Sequence, residues 1–162
     1  MNKKVVSQVF GELHLDECGG FYDQIIGNDM AKTPLMLSIS KEIKEAAMIF
    51  ELSILLDNYI ELDKQALSFI LKNLNEIDST SKSYYDFHRE ELASPVSKLL
   101  NSNNVSYEYF VCHTKLTALS FNLEEGELKA TFDYKLLEKD SNEILAIVFT
   151  TDEKIVSLSH EN

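Results

Sequence analysis

Apolar and polar side chains alternate strictly along one segment near the C-terminal end of the chain. The apolar side chains take every second position: Leu128, Ala130, Phe132, Tyr134 and Leu136. The side chains between them are charged or carry a hydroxyl group. A period of two is typical of a strand that buries one face and shows the other to water. The pattern over residues 127–137 therefore predicts a sheet with one face on a core.

Other segments with strand-like patterns lie at both ends of the chain. They cover residues 5–15, 21–26 and 33–39 before the middle, and 105–111, 116–121, 144–149 and 155–158 after it. Turns at Cys18-Gly19-Gly20 and Gly27-Asn28-Asp29 make the first connections short, which favours an antiparallel meander. The segment 144–149 is continuously apolar, so we expect a strand that is covered on both faces or central in the sheet.

The middle of the chain has helical periodicity. Ser40 is predicted to be the N-cap of a helix that ends near Asp57. Apolar side chains at helical spacing form its stripe: Ile43, Ala47, Phe50 and Ile54. The stripe is widened by Ala46, Ile49, Leu52 and Leu55, which indicates a helix covered on more than one side.

More helices are predicted after this one. Asp63 is expected to cap the second, and residues 82–92 form the third after a cap region at 79–81. Ser94-Pro95 indicates a further short helix, because proline fits the first helical turn. The order of strands, helices and strands predicts an α+β fold: a mostly antiparallel sheet of N-terminal and C-terminal strands with a central helical segment packed on one face. We expect residues 1–162 to form a single α+β domain.

The composition is acidic, with 27 acidic and 15 basic side chains and a net charge of −12 at pH 7. Such a surface repels nucleic-acid phosphates and anionic lipids, whereas it attracts a basic protein. The alternative is that the charge only keeps the protein in solution. The chain lacks a signal-peptide pattern and an apolar run long enough for a membrane span. Cys18 and Cys112 are interpreted as reduced thiols, so we expect a cytoplasmic protein.

Four segments in order carry a family resemblance. The first is Phe10-Gly11-Glu12-Leu13 followed by Leu15-Asp16, and the others span residues 131–136, 144–149 and 155–162. Together they resemble a group of small bacterial domains of unknown function, which open with a Phe-Gly-x-Leu strand and close with a Phe-Asp-Tyr strand and a final hairpin. The resemblance implies an immunity protein that neutralises toxins of neighbouring cells, or a general interaction module, and implies no catalytic residues. One departure is the final turn at residues 151–154, where a glycine is expected.

Candidate binding residues lie in two places. The third helix carries Tyr84, Tyr85, Asp86, His88, Glu90 and Glu91, and a hairpin turn before Gly126 carries Glu124 and Glu125. Exposed tyrosines rimmed by carboxylates suit an interface. The structural alternative is that the tyrosines line the boundary between helices and sheet, and that the acidic turn is only solvated. No metal-ligand, phosphate-binding or nucleophile motif occurs, so neither a metal nor a cofactor is predicted.

Three hypotheses follow. The first is a non-catalytic binding module of the immunity type that engages a basic, toxin-like protein. The second is a small enzyme with a carboxylate or histidine site in a cleft between helices and sheet, using Asp133, Tyr134 or His88. The third is a self-associating protein, motivated by the wide apolar stripe of the first helix. The first is preferred, because no catalytic motif accompanies the acidic charge.

Overall fold

The computed structural model of the protein describes residues 3–16, 19–26, 33–101 and 106–162. The strands within these ranges are β1 (Lys3–Ser7), β2 (Gly11–Leu15), β3 (Gly20–Ile26), β4 (Thr33–Ile39), β5 (Lys115–Glu124), β6 (Glu127–Lys135), β7 (Ile144–Phe149) and β8 (Ile155–Glu161). The helices are α1 (Ala46–Asp57), α2 (Tyr59–Asn73), α3 (Thr80–Glu91), α4 (Ala93–Leu100) and α5 (Tyr107–His113). The predicted α+β class is confirmed. Cys18 and the turn predicted at Gly27-Asn28-Asp29 lie outside the described residues.

Six strands form one sheet in the order β3-β4-β5-β6-β7-β8, and β1 pairs with β2 in a separate hairpin. Of the N-terminal strands predicted to form a meander, β3 and β4 are antiparallel neighbours, whereas β1 and β2 lie outside this sheet. From β5 to β8 neighbouring strands are also antiparallel. β4 and β5 are parallel instead. All five helices lie in the crossover between these two strands, and a parallel pair needs such a long connection. β7 pairs with strands on both sides, which agrees with its continuously apolar sequence.

One face of the sheet builds the core together with the helices. Four alternate side chains of β6 are at most 2% exposed: Leu128, Ala130, Phe132 and Tyr134. Phe132 packs edge-on against Phe149, with ring centroids 5.0 Å apart. The Tyr134 hydroxyl donates a hydrogen bond to Asp63 of α2 at 2.7 Å. The helices therefore cover the face that the period of two predicts.

The prediction of one strand over residues 5–15 is wrong, because this segment forms the β1–β2 hairpin. The Ser7 hydroxyl closes its turn by accepting hydrogen bonds from the N–H groups of Val9 and Phe10 at 3.1 and 3.0 Å. Asp57, at the end of α1, accepts hydrogen bonds from the Ser7 hydroxyl at 2.6 Å and from the following backbone N–H at 2.8 Å. A carboxylate distant in sequence thus ties the hairpin to α1.

The predicted start of the first helix is also wrong. Its N-cap position is Glu45. Ser40 instead accepts a hydrogen bond from the Glu42 N–H at 3.3 Å, so it stabilises a preceding turn. Asp63 is not an N-cap either, because α2 begins at Tyr59 and includes it.

Part of the predicted stripe is buried, namely Ile43 before α1 and Leu52 and Leu55 within it. Phe50 and Ile54 are 66% and 40% exposed. The buried side chains of α1 are Leu52, Leu55 and Leu56. Both sides of this helix are apolar, so helical spacing alone does not select the buried one. Self-association through the exposed side stays a prediction.

The third helix forms as predicted, with Ser79 accepting a hydrogen bond from the Lys82 N–H at 2.9 Å as the N-cap of α3. The fourth helix also forms, but it begins at Ala93 with Leu92 at the N-cap position, so the predicted cap at Ser94 is wrong and Pro95 lies in the first turn. The strand predicted over residues 105–111 is wrong, since α5 occupies most of it. Ser106 caps α5 by accepting a hydrogen bond from the Tyr109 N–H at 3.2 Å. Val105 lies outside the described residues.

The β5–β6 connection is a two-residue hairpin loop, as the position of Gly126 predicts. Glu125 and Gly126 have φ angles of 53° and 83°. Two successive positive φ angles are typical of the type I′ turn, which prefers Asn-Gly. Glu125 therefore occupies a conformation that a glutamate side chain disfavours.

The substitution Glu125→Asn is expected to raise the free energy of unfolding by about 1 kcal/mol, because asparagine tolerates the left-handed conformation better. Urea denaturation at neutral pH measures the change. Glu124→Gln is the matched control, since it removes one charge from a regular strand position in the same hairpin. An equal gain in both variants would show that relief of charge repulsion, and not backbone conformation, is responsible.

Candidate functional site

The side of the sheet opposite the helices is lined mainly by short side chains. The strand register places one row straight across it: Asp23, Met36, Ala118, Asp133, Ala146 and Ser159. The next row contains Phe21, Ser38, Ser120, Thr131, Val148 and Ser157. Successive side chains of a strand point to opposite faces, so these rows face away from the core. We call this surface the open face, and none of the side chains in its two rows belongs to the hydrophobic core cluster.

A cavity of about 620 Å³ lies on the open face. Its apolar walls include Pro34, Met36, Ala118 and Ile144. Four charged side chains also line it: Asp23, Asp133, Lys135 and Glu138. Apolar walls with a few polar groups, at this volume, are the usual composition of a small-ligand site.

A β-bulge at Thr117 shapes this cavity. Leu116 pairs with Tyr134 and Ala118 pairs with Asp133, so Thr117 is the extra residue between them. The Thr117 hydroxyl donates a hydrogen bond to the Asp133 carbonyl oxygen at 3.1 Å. Bulges bend a strand and redirect its side chains, and they are frequent beside functional sites.

The Asp133 carboxylate is poorly compensated. Its neighbours on the adjacent strands are Ala118 and Ala146, which offer no side-chain hydrogen bond. Within the described part of the chain, no group donates a hydrogen bond to this carboxylate or forms an ion pair with it. Burial, and then repulsion by Glu161, raise the pKa of Asp133 to about 6, against an opposing effect of Lys135. At neutral pH the carboxylate is charged in surroundings that disfavour the charge.

Two of the other charged side chains that line the cavity, Lys135 and Glu138, have partners of their own. The Lys135 ammonium donates a hydrogen bond to the Ser141 carbonyl oxygen at 3.3 Å. Glu138 forms an ion pair with Lys115 at 3.2 Å. Neither therefore neutralises Asp133 by direct contact.

A second group of carboxylates lies at one end of the sheet. β6 begins where β7 ends, since Ala130 pairs with Phe149, so the β5–β6 and β7–β8 turns project from the same end. We call the carboxylates in these two turns and at the adjoining strand ends the acidic edge: Glu124, Glu125, Glu127, Asp152 and Glu153. Two lysines compensate part of this charge.

Each lysine of this end pairs with one carboxylate. Lys129 and Lys154 contact Glu127 and Asp152, each at 2.7 Å. The hydrogen bond to Glu127, together with the charge of Glu127 and of the neighbouring glutamates, raises the pKa of Lys129 against the effect of burial. This shift reflects the negative potential of the β5–β6 turn.

Glu153 holds the second turn of the acidic edge in place. It has a φ of 63°, and it lies in the turn where the family resemblance leads us to expect glycine. Its carboxylate accepts a hydrogen bond from the Asn58 amide at 2.6 Å, and its carbonyl oxygen accepts one from the Gln65 amide at 3.1 Å. The β7–β8 turn is thus fixed to α2 and to Asn58, the residue that precedes α2.

Three of the predicted binding residues are inside the core. Tyr84, Tyr85 and His88 are each 0% exposed. The Tyr84 hydroxyl accepts a hydrogen bond from the Leu136 N–H at 2.8 Å, and burial raises its pKa. The expectation that the two tyrosines line the boundary between helices and sheet is confirmed, and their rings do not reach the surface.

His88 is held as a buried, neutral side chain. Its Nδ1 donates a hydrogen bond to the Tyr84 carbonyl oxygen at 2.8 Å. Its Nε2 is buried without a hydrogen-bond partner among the described residues. Burial lowers the pKa of His88, because the charged form would lose its hydration.

The predicted carboxylates divide between two surfaces. Asp86 accepts a hydrogen bond from the Tyr107 hydroxyl at 2.6 Å, while Glu90 and Glu91 are exposed near the end of α3. Glu124 and Glu125 belong to the acidic edge. Among the described residues, no hydrogen bond or ion pair joins the α3 carboxylates to that edge.

The three residues of the enzyme hypothesis do not converge. Asp133 faces the cavity on the open face. Tyr134 and His88 are buried on the side of the sheet that the helices cover. The sequence shows that Asp133 is a polar residue in a predicted strand. It does not show that Ala118, Ala146 and the bulge at Thr117 lie beside it, because strand register brings them together.

No protein-family model, curated protein or solved structure matches the chain. The resemblance to small bacterial domains therefore stays a prediction. Within the described ranges, no helix has the length and apolar character required to cross a membrane. The same ranges contain no group of three or more His, Cys, Asp or Glu side chains arranged to hold a metal ion. Cys112 is an exposed free thiol.

Proposed function

We propose that the protein is a non-catalytic binding module of the immunity type, which engages a basic protein through its acidic edge. The observation that supports this most is the convergence of two hairpin turns at one end of the sheet. These turns bring together five carboxylates and only two lysines that pair with them. A cluster of this sign attracts a basic partner and increases the rate of productive encounter.

The acidic edge is also rigid enough to present its charges in fixed positions. The type I′ turn leaves only two residues between β5 and β6. The β7–β8 turn is held by hydrogen bonds from Asn58 and Gln65. Preorganised groups lose little conformational entropy on binding, which favours affinity.

The enzyme hypothesis keeps one supporting observation. Asp133 lies in a cavity, and a pKa of about 6 suits a general base near neutral pH. However, His88 and Tyr134 lie on the other side of the sheet, so they cannot act together with it on one substrate. A binding role therefore needs fewer assumptions than a catalytic one.

The first partner to test is the product of the adjacent gene, if it is basic. Two double variants each remove two negative charges: Glu124→Gln with Glu125→Asn, and Glu90→Gln with Glu91→Gln. The first pair is expected to reduce the association rate about tenfold at low ionic strength, and the second by less than about twofold. Stopped-flow or surface-plasmon measurements at low and physiological ionic strength give both rates.

The two double variants have equal net charge, so they separate a local site from a general effect. Equal losses in both would show that only net charge matters, which contradicts docking at the acidic edge. A basic neighbour that does not bind even at low salt would contradict the proposal itself. Because Glu125→Asn is expected to stabilise the turn, loss of binding in the first variant cannot be attributed to unfolding.

A further inference from the structure

We propose that the cavity on the open face binds an organic cation, namely a guanidinium or primary ammonium group carried on a short apolar chain. The cation is either a free small molecule or an arginine or lysine side chain of another protein. This site is separate from the acidic edge, since the six residue steps from Glu127 to Asp133 along β6 span roughly 20 Å. The inference does not depend on the proposed function.

The shape of the cavity suits a ligand with an apolar body. Met36 is 45% exposed at its wall, and Pro34 and Ile144 also line it. Ala118 and Ala146 lie opposite Asp133 on the two neighbouring strands, and of these two alanines Ala118 lines the cavity. An apolar chain that lies against Met36, Ala118 and Ile144 would remove their exposed surface from water and bring its charged end to Asp133.

The charges around the cavity favour a cation. Asp23, Asp133 and Glu138 line it together with a single lysine, Lys135. Glu161 lies near enough to repel the Asp133 carboxylate. A bound guanidinium would supply the hydrogen-bond donors that this carboxylate lacks, in the planar arrangement that pairs with two carboxylate oxygens.

The lysines near the cavity do not already fill this role. Lys135 donates its hydrogen bond to the Ser141 carbonyl oxygen, and Lys115 pairs with Glu138. An anionic ligand would meet three carboxylates, so repulsion disfavours it. A metal ion is disfavoured as well, because the described residues contain no suitable group of three ligands.

The binding test uses n-butylguanidinium as the probe and n-butylurea as its neutral analogue of nearly the same shape. Both are titrated into the full-length protein while backbone amide and alanine methyl resonances are followed by NMR. We expect saturable shifts centred on Ala118, Asp133 and Ala146 with the guanidinium, and binding at least tenfold weaker with the urea. Equal binding of the two probes, or shifts that spread without saturation over all acidic residues, would overturn the proposal.

Two variants locate the site. Asp133→Asn removes the charge and Ala118→Leu fills the cavity while the charge stays, and each is expected to weaken binding at least tenfold. Glu51→Gln on the exposed side of α1 removes one negative charge outside both sites; it is the control and is expected to leave the affinity unchanged. Loss of binding in the control, or none in both cavity variants, would show that the cation binds elsewhere.

The pH dependence gives a further readout. The affinity for n-butylguanidinium is expected to fall as the pH is lowered from about 7.5 to about 5, because protonation removes the charge of Asp133. The pKa of about 6 places this change between the two conditions. The charged groups that face Asp133 are Asp23, Lys135, Glu138 and Glu161. In Asp133→Asn the affinity is expected to be insensitive to this pH change, and an unaltered pH profile would contradict the assignment.

The source of the cation is distinguished with a peptide probe, N-acetyl-Gly-Arg-Gly-amide. Tighter binding of the peptide than of n-butylguanidinium would assign the site to an arginine of a protein partner. Tighter binding of the free cation would assign it to a small molecule. If neither probe binds saturably, the proposal is wrong, whereas binding of a basic protein at the acidic edge is unaffected by that result.

Discussion

The variant Phe132→Ala is expected to lose about 3–5 kcal/mol of unfolding free energy. Phe132 is 0% exposed in the middle of β6, and its ring packs against Phe149 with centroids 5.0 Å apart. Removal of the ring leaves a cavity between sheet and helices, and surrounding side chains fill such a cavity only in part. Since domains of this size are stable by only about 5–15 kcal/mol, the loss is a large share of the total.

The adjacent residue provides the control for this prediction. Thr131 lies next to Phe132 on β6 but points to the open face, and Thr131→Ala is expected to cost less than about 1 kcal/mol. Urea denaturation of both variants at one pH gives the comparison. Similar losses in the two would contradict the assignment of a packed face and an uncovered face to the same strand.

Asp133→Asn is expected to stabilise the protein at neutral pH, by on the order of 1–2 kcal/mol. The pKa of Asp133 is about 6 in the folded protein, against an ordinary value of 3.8. Between these two values the folded protein binds more protons than the unfolded chain, so stability decreases as the pH rises through this range. Above about pH 6 the full cost of the charge is present, and asparagine avoids it with nearly the same shape. Partial exposure of the carboxylate reduces the gain below the value that the pKa shift alone implies.

Urea denaturation at about pH 7.5 and at about pH 4 tests this dependence. The free energy of unfolding of Asp133→Asn is expected to be higher than that of the unsubstituted protein at the higher pH and equal to it at the lower pH. Asp152→Asn is the control, because hydrogen bonds donated by Lys154 and Thr150 lower the pKa of Asp152. The control variant is expected to show no increase in the free energy of unfolding at neutral pH. If Asp133→Asn brings no gain either, the carboxylate is compensated, and the electrostatic reason for a cation site is lost.

A stabilising substitution at Asp133 has a functional meaning. Residues that serve binding or catalysis are often retained at a cost in stability. Asp133 lies between two alanines, where a neutral polar residue would serve the fold better than a charge. The cost is understandable if a ligand supplies the missing positive charge.

Local periodicity predicts those strands whose sequence pattern follows directly from which of their faces are buried. The alternation in β6 and the continuous apolar run in β7 lead to the observed strands, because each pattern depends only on which faces are buried. Long-range contacts decide the parts that were predicted incorrectly. The Ser7 hydroxyl in the turn of the β1–β2 hairpin donates a hydrogen bond to Asp57, a residue fifty positions later in a different element.

Competing local signals explain two further differences. In the segment before β5, tyrosine and valine take every second position, which favours a strand. However, Ser106 caps a helix there, and that helix buries the neighbouring side chains Phe110 and Val111. In α1, apolar side chains on both sides give equal support to two orientations. Only the position of the sheet determines that Leu52, and not Phe50, is buried.

The candidate sites were predictable to different degrees. The sequence places Glu124 and Glu125 in a hairpin turn, because Gly126 marks the turn. It does not show that the β7–β8 turn lies beside it, since that depends on strand order. The cavity at Asp133 needs the register with Ala118 and Ala146 and the bulge at Thr117, none of which follows from the pattern of one strand.

The most direct test of a surface built to receive cations is the pKa of the Asp133 carboxyl group, measured by carbon-13 NMR with and without n-butylguanidinium. We expect a pKa of about 6 in the free protein and a clearly lower value in the bound protein, because the cation favours the charged form. A pKa near the ordinary 3.8 in the free protein, unchanged by the probe, would contradict a cation site at Asp133.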